Sequence, residues 1–284
     1  MQHVEFFHLA HFENNYHRVK PLPELESFID FFWETKFDEL LKQYPEGFSD
    51  ALFPNIGYTY LINLGTPFIM QVGDKKFNMK TDGFLPRNKA IECYHRAGNR
   101  LFGIKFKISP IIFKTKVNFA EYREYIYPLS YLMEKAIINK VKKAASFEER
   151  INILNEYFQS IIQSYSGSWE AIRIVSEILQ YCESKNDFTK PVEEFAMQYN
   201  ISARTLHRHF ETTTSLSSKK ALQVLRIRKA VQQLVNSPAD FSYLQYGYYD
   251  YSHFCKHLKQ FLQKDTIMYL QPHLQLLQKV NKKN

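Results

Sequence analysis

At 284 residues the chain is long enough for two domains of ordinary size, and a composition that is 45% hydrophobic and 16% aromatic excludes a disordered polymer. No stretch reaches the ~18 consecutive apolar residues of a membrane span. Met1-Gln2-His3-Val4-Glu5 has neither the basic flank nor the apolar run of a secretion signal, so a cytoplasmic protein is expected. The formal charge of +8 is unevenly placed: residues 187–284 hold 14 Lys and Arg against 7 Asp and Glu, while residues 1–186 hold 23 against 22. That asymmetry predicts a polyanionic partner for the C-terminal third.

In chain order, His3, His8, His11 and His17 come first, spaced by five, three and six residues. These spacings place no three on one face of a helix or strand, so surface imidazoles are expected and no metal. Pro21-Leu22-Pro23 breaks the chain. Leu25, Phe28, Ile29, Phe32 and Trp33 then recur at helical spacing and predict an amphipathic helix.

From about 50 to 110 the pattern changes to strands. Tyr58 to Leu64 is β-rich and stops at Gly65. Phe68 to Val72, the turn pair Gly73-Asp74 and the run through Phe77 and Met79 predict a hairpin. Asp82-Gly83 and Ala97-Gly98-Asn99 mark further turns. Ile104, Phe106 and Ile108 alternate with Lys105 and Lys107, as on a strand with one wet face. Several short strands spaced by turns predict a sandwich or small barrel. Glu92, Cys93 and His95 are the nearest metal-type donors here; Cys93 and His95 share a strand face, but no second cluster joins them in sequence. Cys93, Cys182 and Cys255 are odd in number and far apart, which provides no disulfide framework. No nucleophile elbow, phosphate-cradling glycine loop or zinc-protease motif is present, so neither an enzyme nor a cofactor is expected.

Residues 126–165 read as helices, with Phe147, Ile151, Leu154, Phe158 and Ile161 forming a heptad-like seam. Two readings of the seam stand: an interface between two copies, favoured by the resemblance described below, or a helix packed on its own β region. Ser164-Tyr165-Ser166-Gly167-Ser168 has the composition of a linker. A helix from Trp169 to Cys182 follows, with Ile172, Val175 and Leu179 on its inner face.

Val192 to Asn200 and Ile201 to Phe210 then form a helix-turn-helix pattern. Asn200 suits the left-handed turn, Ser202 caps the second helix, Leu206 and Phe210 face inward, and Arg204, His207 and Arg208 face outward. A helix from about Lys219 to Asn236 is apolar on a wide front, as for a rod holding two helical units. It leads to a second pattern, in which Gly247 supplies the turn, Asp250 the cap, and Phe254, Leu258 and Phe261 the inner stripe.

The motifs Ser-x-Arg-x-Leu-x-Arg-x-Phe at 202–210, Leu225-Arg226-Ile227-Arg228-Lys229-Ala230, and Gly-Tyr-Tyr-Asp-x-Ser-His-Phe at 247–254 resemble the DNA-binding domain of the AraC/XylS family of bacterial transcription regulators over roughly residues 168–271. The resemblance implies double-stranded DNA as partner. Arg204, Thr205, His207 and Arg208 of the first reader helix, and Tyr251, Ser252, Cys255 and Lys256 of the second, are the implied contacts. Phe53-Pro54-Asn55, Tyr60 to Gly65 and Gly103 to Phe106 look like the β-rich N-terminal domain of some of these regulators, which implies a small-molecule effector. RNA polymerase and a second copy of the chain are further implied partners. Where the family usually has Gly and Pro after each reader helix, this chain has Ser215 and Ser218, then Gln263 and Thr266.

The expected architecture is therefore α+β: a β-rich barrel or sandwich over 1–125, a helical linker over 126–167, and an all-α domain over 168–284 with two helix-turn-helix units joined by a long helix. A rival reading also stands, in which a β-barrel ligand-binding protein carries a helical part that has lost DNA binding or docks another protein.

Overall fold

The computed structural model describes residues 1–113, 126–262, 268, 270, 271, 274 and 275. One sheet runs in the order β1 (Gln2–Val4), β4 (Phe48–Leu52), β9 (Ile91–His95), β6 (Phe68–Val72) and β7 (Lys75–Met79). The other runs β11 (Tyr127–Pro128), β8 (Gly83–Pro86), β5 (Tyr58–Asn63), β10 (Leu101–Phe106), β3 (Ile29–Thr35) and β2 (Tyr16–Val19). The sheets pack face to face through Leu61, Phe68, Met70, Leu85, Ile91 and Leu101. The expected sandwich is present and open; the sheets do not close into a barrel.

The second sheet is covered on its far side as well. Tyr60, Ile62, Phe84, Phe102, Ile104 and Phe106 pack against Ile138 of α3 (Lys135–Lys143) and against Phe147, Ile151, Leu154 and Phe158 of α4 (Phe147–Ser164). A strand buried on both faces is apolar on both faces, which removes the period-2 signal. This corrects two expectations. Residues 25–33 are not an amphipathic helix: Pro23–Leu25 form a 3-10 turn and Ile29–Thr35 a strand, in which a bulge at Asp30 puts Ile29 and Phe32 on one face at helical spacing. Lys105 does not face water either; it is 7% exposed inside the sandwich, with Nζ donating to the Ile56 carbonyl at 2.6 Å. The absence of a side chain at Gly103 lets the Trp33 indole lie flat on β10, since a Cβ there would stand 2.2 Å from the ring.

The seam of α4 is likewise committed to this chain's own core, with Leu154 fully buried and Phe158 2% exposed. It is not free to pair two copies.

The C-terminal helices are α5 (Glu170–Lys185), α6 (Val192–Gln198), α7 (Ala203–Thr214), α8 (Ser218–Asn236) and α9 (Tyr251–Phe261), while α1 (Leu9–Asn15) and α2 (Asp38–Gln43) decorate the sandwich. On one side α8 helps to bury Leu206 and Phe210 of α7 with α5 and α6. On the other its Ile227, Val231 and Leu234 join Phe254, Leu258 and Phe261 of α9. The second unit has no leading α-helix. Pro238 removes a backbone donor just beyond α8, and only a 3-10 turn, Tyr243–Tyr246, precedes Gly247.

Candidate nucleic-acid interface

Helix α7 is fixed at both ends by local chemistry. Asn200 takes φ 54°, and the Ile201 amide donates to the Ala196 carbonyl at 3.1 Å, closing α6. The Ser202 hydroxyl accepts the Thr205 amide at 3.1 Å. With Leu206 and Phe210 pinned in the core at 0% and 1% exposure, the opposite face is set. Arg204 and Arg208 stand exposed on that face, one helical turn apart.

Two other expected contacts in α7 have structural partners. Thr205 is half-buried, and its hydroxyl lies 3.0 Å from that of Ser202, within the cap. His207 Nδ1 lies 2.6 Å from the hydroxyl of Ser218, which is fully buried at the start of α8. Ser218 thus ties α7 to α8 where the family resemblance would place proline. Ser215 takes the left-handed φ of 58° that a glycine would adopt freely, and its buried hydroxyl accepts from the Tyr58 hydroxyl of β5 at 2.5 Å. The end of α7 is therefore docked onto the sandwich.

In α9 the Asp250 carboxylate caps the His253 amide at 2.6 Å. Gly247 has φ 71°, and a Cβ there would stand 2.4 Å from Thr189 Cγ2. Ser252 and Lys256 are exposed. Tyr251 and Cys255 are half-buried and pack against the core around α8 and α9. Gln263 and Thr266 lie outside the described residues.

Sequence reasoning named Lys256 but missed the cations that flank it. Lys220, Arg226, Lys256 and Lys259 line a groove of about 610 Å³ between α8 and α9, joined by Lys89 from the sandwich. His257 in this groove has its pKa lowered to about 4 by burial and by the nearby Arg226, Lys220 and His253 charges, so its ring is neutral at physiological pH. Arg226 stacks 4.3 Å above the Tyr248 ring. Arg228 points to the sandwich: it pairs with Glu5 at 2.6 Å and donates to the Pro54 carbonyl at 2.9 Å. No sequence signal finds that pair, which spans nearly the whole chain.

Inside the sandwich is a cavity of about 360 Å³ lined by Phe31, Leu61, Met70 and Leu85, with Arg87, Lys105 and Arg228 among its polar groups. The Arg87 Nε and Thr59 hydroxyl are buried without a hydrogen-bond partner. Burial, followed by repulsion from Arg87, pushes the Lys105 pKa well below that of an ordinary lysine.

Among the described residues no helix is long and apolar enough to cross a membrane. No protein-family model matches the chain, and no curated protein matches it. Among solved structures it is similar to ToxT from Vibrio cholerae O395, at 10% identity over 78% of this chain and 94% of that one, with TM-score 0.42. It is also similar to unsaturated fatty acid bound wild-type ToxT from Vibrio cholerae strain SCE256, at 8% identity over 90% and 94%, with TM-score 0.40. A likeness of that strength carries no argument for function.

Proposed function

We propose that the chain is a sequence-specific DNA-binding transcription regulator, not an enzyme, with α7 as its principal reader. One observation carries this reading: Arg204 and Arg208 project from one exposed face of a capped helix whose opposite face is locked into a core. A short rigid helix presenting two guanidinium groups suits the major groove, where arginine pairs bidentately with guanine. Lys219, Lys220, Lys256 and Lys259 supply phosphate attraction around it, a sequence-independent contribution that weakens with salt. In α9, Ser252 and Lys256 reach DNA while Tyr251 and Cys255 serve packing, so the second unit contributes more to positioning than to reading.

The sandwich cavity is the effector site in this reading. Its wall mixes apolar and charged side chains, and Arg87 and Thr59 offer unmet donors to an acceptor group on a small molecule. Arg228 belongs both to that wall and to α8, so an occupant meets the helix that carries both units.

The test is a binding titration on a selected duplex and on a mixed-sequence duplex at two salt concentrations. Arg208→Ala is expected to weaken binding to the selected duplex by about 1–3 kcal/mol and to leave mixed-sequence binding nearly unchanged. Equal losses on both duplexes would contradict base reading by Arg208.

A further inference from the structure

Four side chains that sequence spacing scattered are brought together inside the sandwich. In the parallel pairing of β1 and β4, His3 stands opposite Asp50. In the antiparallel pairing of β4 and β9, Asp50 stands opposite Cys93 and Phe48 opposite His95, which puts His95 on the same face by alternation. Helix α1 adds His11 from above. His3, His11, Asp50 and His95 are 6%, 9%, 0% and 1% exposed. This corrects the expectation of surface imidazoles for His3 and His11; His8 and His17 are half-buried. Glu92 takes no part; it accepts from Gln2 and Tyr94 instead.

Three of the four are placed as ligands around an ion are, and His95 reaches the other oxygen of the same carboxylate. His3 Nδ1, His11 Nε2 and an Asp50 oxygen all lie within 4.8 Å of one another. His11 Nε2 and His3 Nδ1 are 2.9 and 3.5 Å from Asp50 Oδ1, and His95 Nε2 is 3.4 Å from Oδ2. Neighbouring ligands of a four-coordinate zinc, with bonds of about 2.0–2.1 Å, are roughly 3.3–3.4 Å apart. Yet His3 Nδ1, His11 Nε2, His95 Nε2 and Asp50 Oδ1 all lack a hydrogen-bond partner. Three buried imidazole nitrogens without a hydrogen-bond partner, turned to one carboxylate, suit a shared cation.

The surroundings supply outer support. Tyr16 donates its hydroxyl to Asp50 Oδ2. Asn99 donates from Nδ2 to the Thr66 carbonyl at 3.2 Å, so its oxygen faces His95 Nδ1 at 2.7 Å. His95 Nδ1 then donates to the Asn99 oxygen, which leaves Nε2 facing Asp50. This is the arrangement of a metal-binding histidine and its outer partner.

We propose that His3, His11, Asp50 and His95 bind one divalent transition-metal ion, with zinc the best match to an all-nitrogen-and-oxygen set. The imidazoles of His3 and His11 stack at 3.7 Å, so loading rotates one ring out of the stack. It also turns the Asn15 amide, whose nitrogen lies 3.3 Å from His11 Nδ1. The ion pins β1 and α1 to the sandwich, close to Glu5 and its pair with Arg228.

The test uses the full chain, stripped with a chelator and titrated with Co²⁺ as a coloured stand-in for zinc. One equivalent is expected to bind with the intense visible bands of a four-coordinate site, and added Zn²⁺ to displace it and raise Tm. His3→Ala with His11→Ala is expected to abolish this binding, and Asn99→Leu to weaken it about 10–100-fold. His17→Ala, outside the cluster, is expected to leave it unchanged. X-ray absorption of the zinc-loaded wild-type chain provides a readout that does not depend on variant folding, with imidazole scattering and no sulfur expected. No cobalt binding by the wild-type chain, equal binding by the double variant, or a sulfur shell would overturn the proposal.

Discussion

Ser215 takes a left-handed backbone conformation that costs a residue with a Cβ about 1–2 kcal/mol. It is held there by burial and by the Tyr58 hydroxyl. Two effects of similar size therefore oppose each other when it is changed. Ser215→Gly relieves the backbone but removes the hydroxyl to which Tyr58 donates, a loss of about 1 kcal/mol. We expect Ser215→Gly to be close to neutral alone, and to stabilise by about 1 kcal/mol in a Tyr58→Phe background, as read by urea unfolding. Destabilisation of the same size in both backgrounds would show that the strain is absent. At this scale the sequence was legible wherever a rule is local. The roles of Asn200, Ser202, Gly247 and Asp250 follow from their own backbone demands. The partners of His207 and Ser215 do not, because each lies on another element. The histidine cluster was hidden for the same reason: sheet register joins β1, β4 and β9, and no periodicity within one segment reports that.

Among the elements, α4 shows how a seam misleads. Its four- and three-residue spacing is what any helix needs to bury one face, and burial against the second sheet satisfies it as well as a partner copy would. Phe158→Ala is expected to cost about 3–5 kcal/mol of stability while leaving the mass in solution unchanged. A fall in mass without loss of stability would restore the dimer reading of the seam. β3 misleads in the opposite direction: Ile29 and Phe32 reproduce helical spacing because a bulge at Asp30 turns both to the helix-covered face of the sheet. The helices of the C-terminal part were read closely, since all but α6 are amphipathic over about three or more turns.

Across the whole molecule, the sandwich and the reader helices are joined by specific polar contacts. Arg228 of α8 pairs with Glu5 and lies 4.9 Å from the Phe6 ring, while Ser109 donates to the Thr213 carbonyl at the end of α7. Burial works against the Glu5 carboxylate, but the Arg228 charge and hydrogen bond outweigh it and hold its pKa below the ordinary 4.5. A depressed acid stabilises the fold above the unfolded value and loses that stabilisation as pH falls through the folded one. Stability is thus expected to drop as pH falls below about 4.5, and the part of this drop due to Glu5 to shrink in Arg228→Gln. Identical pH profiles for the two proteins, followed by thermal melts, would remove the pair from the coupling. None of these joints was legible in the sequence, because each links residues more than a hundred positions apart.

The central claim is sequence-specific reading by α7, and selection from a random-sequence duplex library at two salt concentrations tests it most directly. The account predicts an enriched guanine-containing motif that survives the higher salt and is lost in Arg204→Ala with Arg208→Ala. A second half-site about 34 Å away would show that α9 also reads bases. Binding that fades with salt and enriches no motif, or no binding at either salt, would contradict it.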